Sequence, residues 1–192
     1  MRIQRALLIP VAAAVVVLAG CSDDSSSTTA SPSSGEAASQ SCPTATPSAP
    51  ASPEWTFDGT TGKVQVSGST DTAAPYIKVD APFSVATTEV HTLTAGTGPD
   101  VPANATVSVC YEGVNGRDGN VFDSSYQRGE PASFSLDGVI PGFTKAIAGQ
   151  KVGSTVAVAI APADGYPDGQ PSANINKGDT LIFAIKILSA QG

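Results

Sequence analysis

The residues best suited to chemistry lie between positions 121 and 143, as VFDSSYQRGEP (121–131), FSL (134–136) and DGVIPGF (137–143). They place aromatic side chains, an Asp123–Arg128 pair and a proline-started helix close together. Tyr111 upstream, and Tyr166 and Phe183 downstream, extend the aromatic set. Nucleophilic catalysis does not fit this pattern. His91 is the sole histidine, so a Ser-His-Asp or Cys-His arrangement would have to recruit it. It stands in VHTLTAG, a strand-like run well before these motifs, and reads as an ordinary surface histidine. The run 115–123 lacks the ligand spacing and closing glutamate of an EF-hand and reads as a turn. Gly113, Gly116 and Gly119 precede no helix start suited to phosphate. No metal-ligand cluster is visible and no cofactor is expected. With no nucleophile–base pair beside it, the aromatic set suits an apolar ligand pocket better than a proton shuttle.

The elements that would position these residues follow from periodicity. In TVSVCYEG (106–113) alternation sends Val107, Val109 and Tyr111 to one face, with Ser108 and Cys110 on the other. The turn NGRDGN (115–120) suits a hairpin. Strands are expected near 121–123, 132–136 and 154–161, and the last, DTLIFAIKIL (179–188), sends Leu181, Phe183, Ile185 and Ile187 to one side. Pro141 is placed to start a short helix running to Ala148, ended by Gly149. Earlier, 63–67, 76–80 and 89–93 alternate apolar and polar residues as short strands. Many strands and one short helix give an α+β plan, an antiparallel sheet wrapped across a helix. Residues 54–87 are expected to form an N-terminal β extension, as an extra edge or a covering segment.

The chain has 192 residues, of which 41% are apolar and 14% charged, enough for one domain of ordinary size with appendages. Net charge is −7, and removing residues 1–20 takes away Arg2 and Arg5 and no acid, which leaves −9. An acidic chain without a Lys/Arg cluster is not a nucleic-acid binder. Arg2 and Arg5, the apolar run 6–19 and then Leu18-Ala19-Gly20-Cys21 resemble a bacterial lipoprotein leader, with cleavage before Cys21 freeing it for lipidation. The apolar run is short of the ~20 residues that cross a bilayer. The expected location is the outer face of the cytoplasmic membrane, in the cell envelope. Residues 21–53 are rich in Ser, Thr, Pro and Ala and are expected to form a disordered tether reaching roughly 30 Å. Lipidation of Cys21 would leave Cys42 and Cys110, either free or paired; because Cys110 faces away from the core, where the tail could reach it, pairing is expected.

Five motifs then occur in order: Val-Phe-Asp-Ser-Ser (121–125) with Arg128, Val-Ile-Pro-Gly-aromatic (139–143), Val-Gly (152–153), Tyr166 after Pro162, and Leu-x-Phe (181–183). In this combination, residues 88–189 resemble the FKBP family of peptidyl-prolyl isomerases. The resemblance implies an FKBP-type domain over 88–192, an antiparallel β-sheet wrapped around one short α-helix. It also implies catalytic positions at Tyr111, Asp123, Phe143, Tyr166 and Phe183, and substrate-binding positions at Phe122, Arg128, Val139, Ile140 and Ile175. Phe143 would be the floor, Asp123 would hold the rim with Tyr111 and Arg128, and the Ile140 N–H and Tyr166 hydroxyl would bind peptide carbonyls. The implied partners are proline-containing exported polypeptides and macrolide ligands.

Three positions depart from the family pattern. Phe143 stands where tryptophan is usual, Ala132 where phenylalanine often contributes, and Pro167 where glycine follows the tyrosine. The run 168–180 leaves no room for an inserted chaperone domain. A monomer is expected, since no heptad or exposed apolar run suggests self-association. A lipid-anchored module that holds proline segments with little turnover would use the same pocket. A purely structural envelope lipoprotein is the remaining reading.

Overall fold

Alternation of large with small side chains, rather than of apolar with polar ones, decides how the central sheet is built. The computed structural model describes residues 41–192, so the leader, Cys21 and the rest of the expected tether up to residue 40 lie outside the described residues. The chain forms β1 (Trp55–Asp58), β2 (Thr61–Ser67), β3 (Tyr76–Ser84), β4 (Glu89–Thr94), β5 (Thr106–Asn115), β6 (Val121–Ser124), α1 (Ser125–Arg128), β7 (Ala132–Ser135), α2 (Pro141–Ile147), β8 (Thr155–Ile160) and β9 (Leu181–Gln191). The main sheet is antiparallel in the order β4-β8-β9-β5-β6, with β7 also pairing β5.

One face of this sheet carries the large residues. Val107, Val109 and Tyr111 of β5, Val156, Val158 and Ile160 of β8, and Leu181, Phe183, Ile185 and Ile187 of β9 pack with Phe143, Ala146 and Ile147 of α2. Gly142 sets how closely the helix seats, because a Cβ there would lie 2.4 Å from Ile160 Cγ2. Pro141 occupies the first turn, where its missing N–H costs no helical bond. The helix ends at Ile147, one residue earlier than the sequence reading; Gly149, at φ 78°, follows the Ala148 cap and turns its N–H to the Val101 carbonyl.

The opposite face carries Ala157, Ala159, Ala161, Ile182 and Ala184, which leaves it shallow. Strands β1–β3 form a separate antiparallel sheet in that order, and Val64, Val66, Phe83 and Val85 bury this face. The N-terminal β extension is thus a cover over the back of the main sheet and not an added edge strand. This explains why β8 is buried along its whole length.

Two features differ from the sequence reading. The tether assigned to 21–53 does not remain free to Trp55. Cys42 is 2% exposed and bonded to Cys110, with Cα atoms 5.7 Å apart. Its N–H donates to the Gly129 carbonyl at 3.2 Å, and Ala45 bridges Ala73. A covalent bond and these ladder-like contacts override a composition that would not order itself. The single-turn helix α1 was not anticipated. Ser124 caps it by accepting the Gln127 N–H, and Gly129 at φ 75° closes it. Among the described residues no helix is long and apolar enough to cross a membrane.

Candidate functional site

The helix-side face of the sheet does not close completely over α2, and a cavity of about 480 Å³ remains at that end. Tyr111, Phe122, Asp123, Phe134, Gly138, Val139, Ile140, Phe143, Tyr166 and Phe183 line it. Each lining group arrives on a different element. Tyr111 comes from β5, Phe122 and Asp123 from β6, Phe134 from β7, Phe143 from the first turn of α2 and Phe183 from β9. Gly138, Val139 and Ile140 approach α2, and Tyr166 lies in the run between β8 and β9.

The rings form an edge-to-face lattice rather than parallel stacks. Phe143 meets Tyr111 at 6.0 Å and 85°, Phe134 at 5.7 Å and 78°, and Phe183 at 5.5 Å and 79° between centroids and planes. Phe122 closes one side against Phe183 at 5.5 Å and 90°. Such geometry sets the positive ring edge against the negative face and fixes each ring more firmly than burial alone. Phe143 is 5% exposed and lies at the base. Gly113 makes the arrangement sterically feasible, since a Cβ there would lie 2.6 Å from Phe122 Cζ and 2.8 Å from Phe183 Cε1. A glycine interrupting the strand pattern of β5 is the sequence signal for that close approach.

One polar group interrupts this apolar wall. The Tyr111 hydroxyl donates to Asp123 Oδ2, Arg128 Nη1 donates to Asp123 Oδ1 at 2.6 Å, and Arg128 Nη2 donates to the Tyr111 hydroxyl at 3.1 Å. The guanidinium carbon also sits 5.8 Å from the centre of the Tyr111 ring. Burial, then the neighbouring Asp123 carboxylate, push the Tyr111 hydroxyl up to about 12 against the opposing pull of Arg128, so it stays a proton donor at neutral pH. Ser125, fully buried, fixes the backbone beneath this group, with its Oγ accepting the Tyr111 N–H at 2.8 Å. Among the described residues no protein acceptor receives the Ile140 N–H, which points from the start of α2.

Eight of the ten expected positions therefore meet at one cavity: Tyr111, Phe122, Asp123, Val139, Ile140, Phe143, Tyr166 and Phe183. Arg128 is half exposed and reaches the site only through Asp123 and Tyr111. Ile175 does not line the cavity; it is 1% exposed, inside the apolar core, and supports the wall from behind. Phe134 lines the cavity, and Ala132, two residues earlier on β7, packs against the core. Gly138 was missed because a glycine contributes only backbone to the lining. His91 lies elsewhere, stacked on Trp55 at 5.7 Å and 6°. Among the described residues no group of three or more His, Cys, Asp or Glu side chains is placed to hold a metal ion.

This cavity accompanies a clear family likeness. A family model described as FKBP-type peptidyl-prolyl cis-trans isomerase matches residues 98–188. A probable FKBP-type peptidyl-prolyl cis-trans isomerase of Haemophilus influenzae is 40% identical over 94 residues, 49% of this chain and 39% of that protein. A probable FK506-binding protein of Corynebacterium glutamicum is 38% identical over 96 residues, 50% of this chain and 80% of that protein. The crystal structure of a peptidyl-prolyl cis-trans isomerase of Pseudomonas syringae pv. tomato superposes with a TM-score of 0.50 at 32% identity, over 55% of this chain and 76% of that one. The chain spans about two fifths of the length of the Haemophilus relative. The Corynebacterium protein, matched over most of its length, and the family model over residues 98–188, which span the cavity wall, settle the relationship: this chain belongs to the FKBP-type peptidyl-prolyl cis-trans isomerase family.

Proposed function

We propose that this chain is a peptidyl-prolyl cis-trans isomerase acting on proline-containing segments of exported polypeptides. The observation that carries the reading is the convergence of the ring lattice on one cavity beside the Tyr111, Asp123 and Arg128 group. An X–Pro amide rotates over a barrier of about 18–20 kcal/mol because twisting breaks its resonance. The twisted amide is less polar across its C–N bond than the planar one, so a dry aromatic cavity favours it and excludes the water that stabilises the planar form. In this mechanism the proline ring rests on Phe143 between Tyr111, Phe122 and Phe183. The Ile140 N–H and Tyr166 hydroxyl donate to peptide carbonyls, with Val139 alongside. Asp123 and Arg128 hold the Tyr111 phenol in place. No covalent intermediate, base or cofactor enters.

A protease-coupled assay on the full chain with a proline-containing tetrapeptide tests the reading. Acceleration is expected, with Tyr166→Phe lowering kcat/KM about fivefold, the size of one lost neutral hydrogen bond. Folded protein that gives no acceleration refutes isomerase activity. Binding of the same tetrapeptide without turnover would reassign the cavity to recognition. Macrolides are a further ligand class suited to the same apolar volume.

The leader pattern supports a second proposal, that Cys21 carries a lipid and holds the domain at the outer face of the cytoplasmic membrane. Metabolic labelling with an alkynyl fatty acid should mark the wild-type chain, and Cys21→Ser should abolish the label. Equal labelling of both overturns the anchor.

A further inference from the structure

Tyr166 opens a run without strands or long helices that ends at Asp179, yet its side chain must keep a fixed place on the cavity wall. We propose that Asp179, a buried carboxylate outside the cavity, is a positioning residue that locks this run to the sheet and so sets Tyr166. The inference rests on the reading of Tyr166 as a peptide-binding residue.

Asp179 is 8% exposed, and its Oδ2 accepts from Asn115 Nδ2 at 2.7 Å, the Asn176 N–H at 2.8 Å and Arg117 Nε at 3.3 Å. Asn115 ends β5 and Arg117 lies in the turn that follows it, so one donor belongs to the sheet and a second to the turn that leaves it. Arg117 Nη2 also donates to the Asn174 carbonyl at 3.1 Å. Asn174 has φ 55°, a left-handed conformation that a non-glycine residue holds only with local support. Between Asn174 and Asn176, Ile175 is drawn into the core, and it pairs with Gln170 through the Gln170 N–H to Ile175 carbonyl bond at 2.7 Å and its reverse at 3.1 Å. The Gly169 N–H then donates to the Tyr166 carbonyl at 2.9 Å.

Hydrogen bonds alternating with peptide links thus lead from the sheet, through Asp179, to the backbone of Tyr166. Burial alone would raise the Asp179 carboxyl. The donors Asn115, Asn176 and Arg117 outweigh it and hold the group below the usual carboxylate range, so the bonds at its centre are charge-assisted. Asp179 does not line the cavity and its carboxylate bonds no residue that does, which is why it is a positioning residue and not a catalytic one.

A double-mutant cycle on the full chain tests this, using Asp179→Ala, Tyr166→Phe and the pair with a proline-containing tetrapeptide as substrate. Asp179→Ala is expected to raise KM about fivefold with kcat within about twofold, the signature of lost uniform binding. In the Tyr166→Phe background the same change should have an effect of less than about twofold, because the hydroxyl it positions is gone. Asp179→Asn, which keeps an acceptor oxygen, should recover most of the loss. Amide exchange at Gly169 and Ile175 should quicken about tenfold or more in Asp179→Ala, while Phe143 and Ala148 in and after α2 stay protected. Equal effects in both backgrounds, or unchanged exchange at Gly169 and Ile175, overturn the proposal. If Asp179→Ala does not fold, Arg117→Ala takes its place in the cycle and in the exchange measurement with the same expected pattern. Absence of turnover in the wild-type chain would instead sink the isomerase reading. The cycle is then read as the tetrapeptide Kd, where the same non-additivity is expected.

Discussion

Replacing Phe143 by alanine is expected to lower kcat/KM by about two orders of magnitude, equivalent to roughly 2.7 kcal/mol of transition-state stabilisation. The ring touches Tyr111, Phe134 and Phe183 at once, so its removal takes the base from the cavity and the centre from the edge-to-face lattice. Water would enter the enlarged space and stabilise the planar amide, which opposes the proposed mechanism directly. Stability should fall as well, by about 3–5 kcal/mol, because the ring is buried against the main core cluster. Phe143→Leu separates the two effects. It keeps most of the apolar volume and should retain the greater part of the stability, yet lose about tenfold in kcat/KM because a flat ring floor is gone. Phe143→Trp, which enlarges that floor, should raise turnover. Urea unfolding beside the protease-coupled assay checks each variant under conditions where it is folded. If Phe143→Ala is folded and turns over at the wild-type rate, the cavity is not where the amide twists.

What the sequence revealed of this fold follows from which interactions are local. The alternation in β5 and β9 states which side chains share a face, and the structure places Val107, Val109, Tyr111, Leu181, Phe183, Ile185 and Ile187 together against α2. Pro141 marks the helix start because its fixed φ and missing N–H have a purely local consequence. The role of β1–β3 was not legible, because strand patterning says nothing about which sheet a strand joins. The clue was the VAVAIA run of 156–161, where alanines mark a face shallow enough for a second sheet to approach. Helix α1 carried its own signals, a serine cap and a following glycine, but four residues give no periodicity to read.

The site was legible mainly through ordered motifs, since no ring announces its function alone. Resemblance transfers position along the chain, not depth. It therefore marked Ile175 as wall, although the hydrogen bonds around Asp179 draw that residue into the core. It did not name Phe134 among the pocket positions, although that ring stands two residues beyond Ala132 on the same strand face and lines the cavity. The order of the elements brings Tyr111, Asp123 and Arg128 together across 17 residues, and that closeness was inferable only from the family pattern.

Opening the Cys42–Cys110 disulfide is expected to cost about 4 kcal/mol of stability, the chain-entropy value for a loop closed across 68 residues. The bond does more than shorten the unfolded chain. Cys42, Cys110 and Tyr126 form a small buried cluster of their own behind β5, where Tyr126 donates to Ser69 Oγ at 2.9 Å. Without the bond, one hydrogen bond to Gly129, the Cys42 contact with Ser125 and the bridge from Ala45 to Ala73 are what hold the segment from Cys42 to Ala45. That segment should then detach and leave the cluster open to water. The cavity should survive, because Tyr111 remains in a ladder with β9 and its N–H remains bonded to Ser125. Urea unfolding of oxidised, reduced and Cys42→Ser/Cys110→Ser protein should therefore show a common loss in the last two, with kcat/KM changed less than about threefold at low denaturant. Identical midpoints for oxidised and reduced protein, or two titratable thiols in unreduced denatured protein, would show that the bond is not a staple of this domain. A large loss of turnover on reduction would place the tail within the functional unit, since Cys110 immediately precedes Tyr111 and Cys42 touches Ser125, the residue that fixes Tyr111.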